Sequence, residues 1–450
     1  FTTVQSTGAT SATSVSRLVR LTTGGAIDTT FTASLNNRVN VLALEADGSV
    51  LVGGDFTAVT GSTDASAVAH NFLVRLKSTG QRDADFVPRP SAAVSEIRVQ
   101  RDGKILLGGE FTSFYSANTG AGRTANYLAR LNRDGSVDTD FAPAANALVS
   151  TIALQNDGRI VVGGLFSRFT PTGASSSVLR SHAARLQASG DLDGAFSSDE
   201  DGAVLTAVVD SSGRLIVGGQ FSSYVGLTRG SLARILADGS IDPTFAPVID
   251  GAVLALAFQS DGKLLVGGSF NFVNSVEVKN LVRLNTDGSL DTSFKPGPSS
   301  VVYAILPQSD GRILVGGDFY AWDTDDGQND DDDGDGITTD DTVRPYLAQI
   351  DSAGKVTSLD WGVDGTVTSL AAQSDGKVML AGNFTSVKGT VQPFVARFNS
   401  AGELDGTFKP GLNGEVRSIA VQSDGKVILG GTFTTAQLDD GQNDDDDEDT

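Results

Sequence analysis

Residues 253–270 read Val253-Leu-Ala-Leu-Ala-Phe-Gln-Ser-Asp-Gly-Lys-Leu-Leu-Val-Gly-Gly-Ser-Phe270, and residues 281–294 read Leu281-Val-Arg-Leu-Asn-Thr-Asp-Gly-Ser-Leu-Asp-Thr-Ser-Phe294. In each string two apolar runs flank an Asp-Gly pair, the pattern of two short strands joined by a tight turn. Taking Ser260-Asp261-Gly262 as a three-residue loop puts Gly262 in the left-handed position of a type I turn with a G1 bulge. Glycine sits there without a Cβ penalty. The same frame fits Thr286-Asp287-Gly288. The unit therefore reads as two hairpins, or four short strands.

The unit recurs along the whole chain. A Gly-Gly-x-Phe string or a close variant ends at Phe56, Phe111, Phe166, Phe221, Phe270, Phe319, Phe384 and Phe433, in steps of 55, 55, 55, 49, 49, 65 and 49 residues. The second string occurs eight times, with a weakened copy at 347–361. Seven copies end on Phe31, Phe86, Phe141, Phe196, Phe245, Phe294 and Phe408; Trp361, one place further on, stands in for the eighth. With Phe1, 16 of the 23 Phe occupy two repeat positions, which reads as core between neighbouring units rather than a stacking platform. Units of about 50 residues with four strands suit an all-β fold, a β-propeller of about eight four-stranded blades. Closure is expected from 416–433 at the C-terminal end pairing with 17–31 at the N-terminal end. Phe1-Thr-Thr-Val aligns with Phe56-Thr-Ala-Val, so the chain starts in mid-repeat, and it ends inside a loop. Residues 1–450 are therefore expected to be one repeat domain from a longer protein. An open or polymeric array is the alternative.

The hairpin register makes a statement about charge. It sets Arg283 opposite Asp291, and the same eight-residue spacing recurs at Arg20/Asp28, Arg75/Asp83, Arg130/Asp138, Arg185/Asp193, Arg234/Asp242 and Arg397/Asp405. In the weakened copy both members change, to Gln349 and Thr357. Retention and loss in pairs point to cross-strand ion pairs, each worth about 0.2–1 kcal/mol, rather than a ring of ligand-binding arginines.

The chain carries 55 acids against 33 bases, a net charge of −22. Ten acids lie in 323–341 and eight in 439–450, with no base in either segment. The remainder holds 37 acids against 33 bases, so two acidic devices sit on a nearly neutral body. Nucleic acid is excluded as a partner, since binding phosphates needs a basic patch. No apolar run approaches about 18 residues, so no membrane insertion is expected. There is no Cys and there are two His, which removes disulfides, thiolate or His-rich metal sites and Cys nucleophiles.

The pattern Gln-Ser-Asp-Gly-Lys, three apolar residues, Gly-Gly-x-Phe, then Arg-Leu-Asn-x-Asp-Gly-Ser-Leu-Asp-x-x-Phe resembles the bacterial delta-60 repeat family. Residues 259–270 with 283–294, and 422–433, carry the resemblance most closely; 347–361 departs from it. The resemblance implies a β-propeller in secreted or surface-attached bacterial proteins. It brings no defined catalytic residues.

The acidic insertion at 320–346 holds Asp331-x-Asp333-x-Asp335-Gly336-Ile337, the spacing of an EF-hand-type calcium loop. Alternate carboxylates converge on one cation, the glycine allows the turn, and the Ile337 carbonyl adds a ligand. An all-oxygen donor set favours Ca²⁺ over zinc or copper. The twelfth position is Thr342, not Glu. Asp323, Asp325 and Asp341 complete the candidate set. The string Asp-Gly-Gln-Asn-Asp-Asp-Asp-Asp returns at 440–447 in the acidic tail, 439–450, where Asp444 and Asp446 are the candidate ligands. The competing reading is a solvated run of like charges.

Function is expected to be non-catalytic: a calcium-stabilised structural, adhesive or assembly module, extracellular or on the bacterial cell surface, as in a filament or surface layer. Its partners would be other surface proteins, glycans or copies of itself. His70 and His182 lie in variable loops with no recurring triad order. The alternatives are a carbohydrate-active propeller enzyme using carboxylates and a glycan-binding, lectin-like domain. Trp322 and Tyr320, beside the acidic loop, either stack on a sugar or anchor the loop.

Overall fold

In a computed structural model, residues 16–115, 122–155, 157–196, 202–210, 212–224, 227–322, 342–399 and 401–436 are described. Every regular element among them is a strand. Eight principal sheets follow one another. The first holds Val39–Leu44, Val50–Gly54 and Leu73–Leu76; the second Val94–Val99, Ile105–Gly109 and Leu128–Leu131; the third Val149–Leu154, Ile160–Gly164 and Ala183–Leu186. The fourth holds Ala203–Val209, Leu215–Gln220 and Leu232–Ile235; the fifth Ala252–Phe258, Leu264–Ser269 and Leu281–Leu284. The sixth holds Val302–Pro307, Ile313–Gly317, Leu347–Ile350 and Val356–Asp360; the seventh Thr366–Ala372, Val378–Asn383 and Val395–Phe398. The eighth draws on both ends of the chain: Val416–Val421 pairs with Val427–Gly431, which pairs with Leu18–Leu21 in the register Leu18↔Gly430 to Leu21↔Val427.

The turns follow the sequence. Gly262 has φ +83° and Gly288 φ +89°, and Gly262 N–H bonds the Gln259 carbonyl at 3.0 Å while Gln259 N–H bonds Lys263 O at 2.9 Å. The expectation of four strands per unit needs correcting. Seven of the eight sheets have three strands, and the fourth is reduced to one bridge, as in Leu21↔Ile27 and Leu284↔Leu290. The paired aspartate is the cause. In the first copy Asp28 accepts the N–H of Thr30 at 3.0 Å, and Phe31 N–H bonds Asp28 O at 3.0 Å. That turn ends the strand and sends Phe31 inward. In the weakened copy the aspartate is replaced by Thr357, and the strand Val356–Asp360 runs on.

Eight hydrophobic clusters lie at the seams, each shared by two neighbouring sheets. Phe31, for example, packs with Leu18 and Ile428 of the eighth sheet and with Val39, Val50 and Val74 of the first. Phe86, Phe141, Phe196, Phe245, Phe294 and Phe408 hold the same place in their seams, and Trp361 holds it between the sixth and seventh sheets, edge-on to Phe398 at 4.3 Å. Each such ring is at most 3% exposed, a burial worth about 1.5–3 kcal/mol of transfer free energy per side chain. From the first sheet to the seventh, first strands of neighbouring sheets lie side by side, and Val39–Leu44 also lies beside Val416–Val421.

Candidate functional site

The seven Arg–Asp pairs form as the register requires, with N···O distances of 2.7–3.0 Å. Each does more than span its own hairpin. Its guanidinium lies over the Phe that ends the same string, from 4.1 Å to the ring centroid at Arg75/Phe86 to 5.5 Å at Arg185/Phe196. It then donates to a turn carbonyl of the next sheet. Arg75 reaches Arg133 O at 2.7 Å, Arg185 reaches Ala237 O at 3.1 Å, and Arg283 reaches Ser352 O at 2.7 Å. Arg20, Arg130 and Arg234 donate to the carbonyls of Ser78, Ala188 and Thr286. Arg397 reaches Thr23 O, near the other end of the chain, at 2.9 Å. These arginines are staples between sheets, and Arg185 and Arg397 are fully buried. In the weakened copy Gln349 turns back to Gln308 (2.7 Å) and accepts from Thr357 Oγ1 (3.1 Å). Within the seventh repeat, Lys388 Nζ donates to the Gly402 carbonyl at 3.2 Å.

The staples shape the acid limb of stability. Burial opposes ionisation of Asp28, but hydrogen bonds from Thr30 and the charge of Arg20 outweigh it and hold its pKa at about 2. Asp242 is held at about 2 against the same burial by Thr244 and Arg234. Glu96, on the first strand of the second sheet, goes the other way: burial pushes it up to about 7 despite Arg98 at 2.8 Å. Both signs follow from linkage. The aspartates contribute stability that is present above about pH 4, their unfolded value, and is lost as pH falls through about 2. Glu96 binds its proton more tightly when folded, so stability falls as pH rises from about 4.5 to about 7. The combined contribution of these three groups is greatest near pH 4–5. Glu96→Gln is expected to gain up to about 3 kcal/mol above pH 7, at about 1.4 kcal/mol per pH unit. Urea unfolding at pH 3, 5 and 8 checks this; parallel profiles for parent and variant between pH 5 and 8 would refute the assignment to Glu96.

A second constellation lies where the first strands meet. Each of these strands carries a register shift immediately after its leading Val: Val39/Val41, Val94/Glu96, Val149/Thr151, Val204/Thr206, Val253/Ala255, Val302/Ala304, Val367/Ser369 and Val416/Ser418. A bulge leaves one residue unpaired and re-aims its side chain. The eight residues so released are Asn40, Ser95, Ser150, Leu205, Leu254, Tyr303, Thr368 and Arg417. Asn40, Ser95, Thr368 and Arg417 line one cavity of about 740 Å³ with Arg38, Asp55, Glu110 and Glu415. Arg38 pairs with Asp55, which also accepts from Asn40 Nδ2 at 3.2 Å. Arg417 pairs with Glu415 at 3.1 Å. Leu205 and Tyr303, at the same bulge position in other sheets, are 45% and 37% exposed. The sequence carried one signal of this site, an out-of-phase residue after each leading Val, but its identity varies from copy to copy.

Of the residues singled out for calcium, Asp323, Asp325, Asp331, Asp333, Asp335, Ile337, Asp341, Asp444 and Asp446 lie outside the described residues, as does Phe1. Among the described residues no group of three or more acids and histidines is placed to hold a metal ion. Trp322 is buried, its Nε1 donating to Gly354 O at 3.2 Å and its ring edge-on to Phe319, so it packs rather than stacks on a ligand. Tyr320 is 53% exposed. His70 is buried, with Nδ1 3.2 Å from Leu73 O. His182 has φ +60°, and its N–H bonds Phe166 O at 2.6 Å.

The repeats read in the sequence and seen as sheets match a known family. A family model described as "Domain of unknown function (DUF5122) beta-propeller" matches residues 7–31, 45–86, 100–141, 155–196, 211–245, 259–294, 308–331, 373–408 and 422–445, more than half of the chain. The chain belongs to this DUF5122 beta-propeller family. Three solved structures resemble this DUF5122 chain. The computationally designed Ika8 protein is 14% identical, with 89% of this chain and 96% of that chain covered and a TM-score of 0.49. The C-terminal WD40 domain of Sif2 is 10% identical, with 94% and 98% covered and a TM-score of 0.47. The WD40 beta propeller domain of Doa1 is 12% identical, with 82% and 93% covered and a TM-score of 0.39. No curated protein matches the DUF5122 chain. No helix among the described residues is long and apolar enough to cross a membrane.

Proposed function

We propose that the chain is a closed ring of eight blades that serves, outside the cell or on the bacterial surface, as a non-catalytic, calcium-stabilised structural, adhesive or assembly module. The count of seams supports closure. An open row of eight sheets has seven seams, and here eight clusters join neighbouring sheets, one of them between the eighth and the first. Gln422 Nε2 donates to Gly48 O at 3.2 Å and Ser418 Oγ accepts Leu42 N–H at 3.1 Å across that seam.

The observation that carries the functional reading is the engagement of the repeated charges. Each staple arginine is held by its own aspartate and by a neighbour's carbonyl, so the most regular chemistry in the chain serves rigidity. A rigid ring with variable loops on one side suits contact with a partner. The delta-60 resemblance supports the extracellular placement, and the Asp331-x-Asp333-x-Asp335-Gly336 spacing supports calcium.

Melting temperature and particle size in millimolar Ca²⁺ and in excess chelator test the proposal. A ligand that binds only the native state stabilises it by about 2.7 kcal/mol at a concentration a hundredfold above Kd. The expected result is a clear upward shift that is lost when Asp331, Asp333 and Asp335 become Asn, with particle size growing if assembly is the role. Identical melting and size in both buffers would remove calcium from the proposal.

A further inference from the structure

At the mouth of the ring, the bulge residues are polar in four consecutive sheets and mostly apolar in the other four. In the seventh, eighth, first and second sheets the bulge residues are Thr368, Arg417, Asn40 and Ser95, and the rim beside them holds Glu415, Arg38, Asp55 and Glu110. In the third to sixth sheets the bulge residues are Ser150, Leu205, Leu254 and Tyr303. Leu165, at the rim position equivalent to Asp55 and Glu110, is 59% exposed, while Gln220, Ser269 and Asp318 hold that position in the fourth to sixth sheets. Large apolar side chains left in the open at one repeated position, near a cavity lined by polar groups, point to a site.

We infer that this mouth binds a neutral saccharide. The two ion pairs, Arg38–Asp55 and Glu415–Arg417, are each neutral and Glu110 adds a single negative charge, so the polar lining offers no net positive field for a phosphate. Each pair sets a donor fork beside a carboxylate acceptor in fixed geometry. Adjacent donor and acceptor are what a vicinal diol needs, because each hydroxyl both gives and takes a hydrogen bond. The neighbouring sheets, the fourth to the sixth, supply Leu205, Leu254 and Tyr303, which suit the C–H face of a pyranose ring. Tyrosine joins an apolar body to a polar tip and is a common anchor at such contacts. The bulges put these side chains on sheet backbone rather than on loops, so the site is preorganised.

The placement of Tyr303 at the same mouth as Arg417, two sheets away, rests on the closed ring proposed above; the cavity around Arg38 and Arg417 does not. The test is titration calorimetry of the full chain with cellohexaose, maltohexaose and chitohexaose. Inorganic phosphate and spermidine serve as charged comparison ligands. At least one hexasaccharide is expected to bind, and Arg417→Ala and Tyr303→Ala are each expected to weaken it tenfold or more. Val391→Ser, on the outer rim and 82% exposed, is expected to leave it unchanged. All three side chains are solvent-accessible, and unchanged melting temperatures would verify that the variants fold. Absence of binding by all three sugars up to about 10 mM, well above millimolar Kd, would overturn the inference. So would preferential binding of phosphate or spermidine, or full affinity in either the Arg417 or the Tyr303 variant. Ring closure is read separately, by the stability of Arg397 variants, so failure of the site and failure of the ring are distinguishable.

Discussion

Arg397→Met is expected to destabilise the protein by about 3–5 kcal/mol, and Arg185→Met by the same amount, because removing one partner of a buried pair strands the other. Both guanidiniums are fully buried. In each case the aspartate, at 2.7–2.8 Å, would lose its counter-charge, and a carbonyl in the next sheet would lose its donor. The two positions differ in one respect. Arg185 joins sheets adjacent in sequence, whereas Arg397 reaches Thr23, 374 residues away. Equal losses would therefore report that the seam joining the two ends is as firm as an internal one. A costly Arg185→Met beside a harmless Arg397→Met would mean that the N-terminal strand is not docked and the ring is open. The double change Arg397→Gln/Asp405→Thr copies the neutral pair Gln349/Thr357 and is expected to recover more than half of the loss. Urea unfolding of the two single variants and the double gives the coupling directly.

The parts of this fold that depend on side-chain identity were legible in the sequence. The eight-residue Arg–Asp spacing located the ion pairs, the Asp-Gly turns located the left-handed glycines, and Phe31 and its equivalents located the seams. The parts that depend on backbone were not legible. A staple's acceptor is a carbonyl, so Ser78, Arg133, Ala188, Thr286 and Ser352 serve alike and leave no pattern. The bulge frees whichever residue follows the leading Val, so Asn40, Leu205 and Arg417 share a position with no chemistry in common. The same holds for the residue that precedes each second-hairpin strand. Arg17, Phe72, Tyr127, His182, Ser231, Asn280, Tyr346 and Phe394 all have positive φ, although none is Gly. Their N–H groups are bonded to the carbonyl of the Gly-Gly-x-Phe aromatic of the same sheet, as in Phe72 N–H to Phe56 O and Arg17 N–H to Phe433 O, both at 2.8 Å. The surrounding ladder over-determines a conformation that these residue types rarely adopt. The loss of the fourth strand was missed for a related reason: the aspartate read as an ion-pair partner also caps a turn.

The Gly-Gly pair invites the second large effect, because its two glycines are required for different reasons. A methyl on Gly164 would lie 2.0 Å from the Leu148 carbonyl oxygen, and a methyl on Gly219, Gly268 or Gly382 would meet the equivalent oxygen at 2.0 Å. The clash is with backbone at the bulge, in a carbonyl that also accepts Leu165 N–H at 2.9 Å. Neither atom can give way without breaking the ladder. A methyl on Gly163 would instead meet Thr151 Cγ2 at 2.7 Å and Val204 Cγ1 at 3.6 Å, and side chains can shift. The chain itself contains the permissive case: at the seventh sheet the first position is Ala381, buried with Val416 in the seam to the eighth, while the second position is Gly in all eight sheets. Gly163→Ala is therefore expected to cost about 1–3 kcal/mol, the ordinary range for overpacking. Gly164→Ala is expected to exceed it, at about 3 kcal/mol or more, with the bulge that aims Ser150 disrupted. Urea midpoints at constant m-value measure both. Equal, small losses at the two positions would mean that the strand relaxes around the methyl, and that the second glycine is not what fixes the bulge.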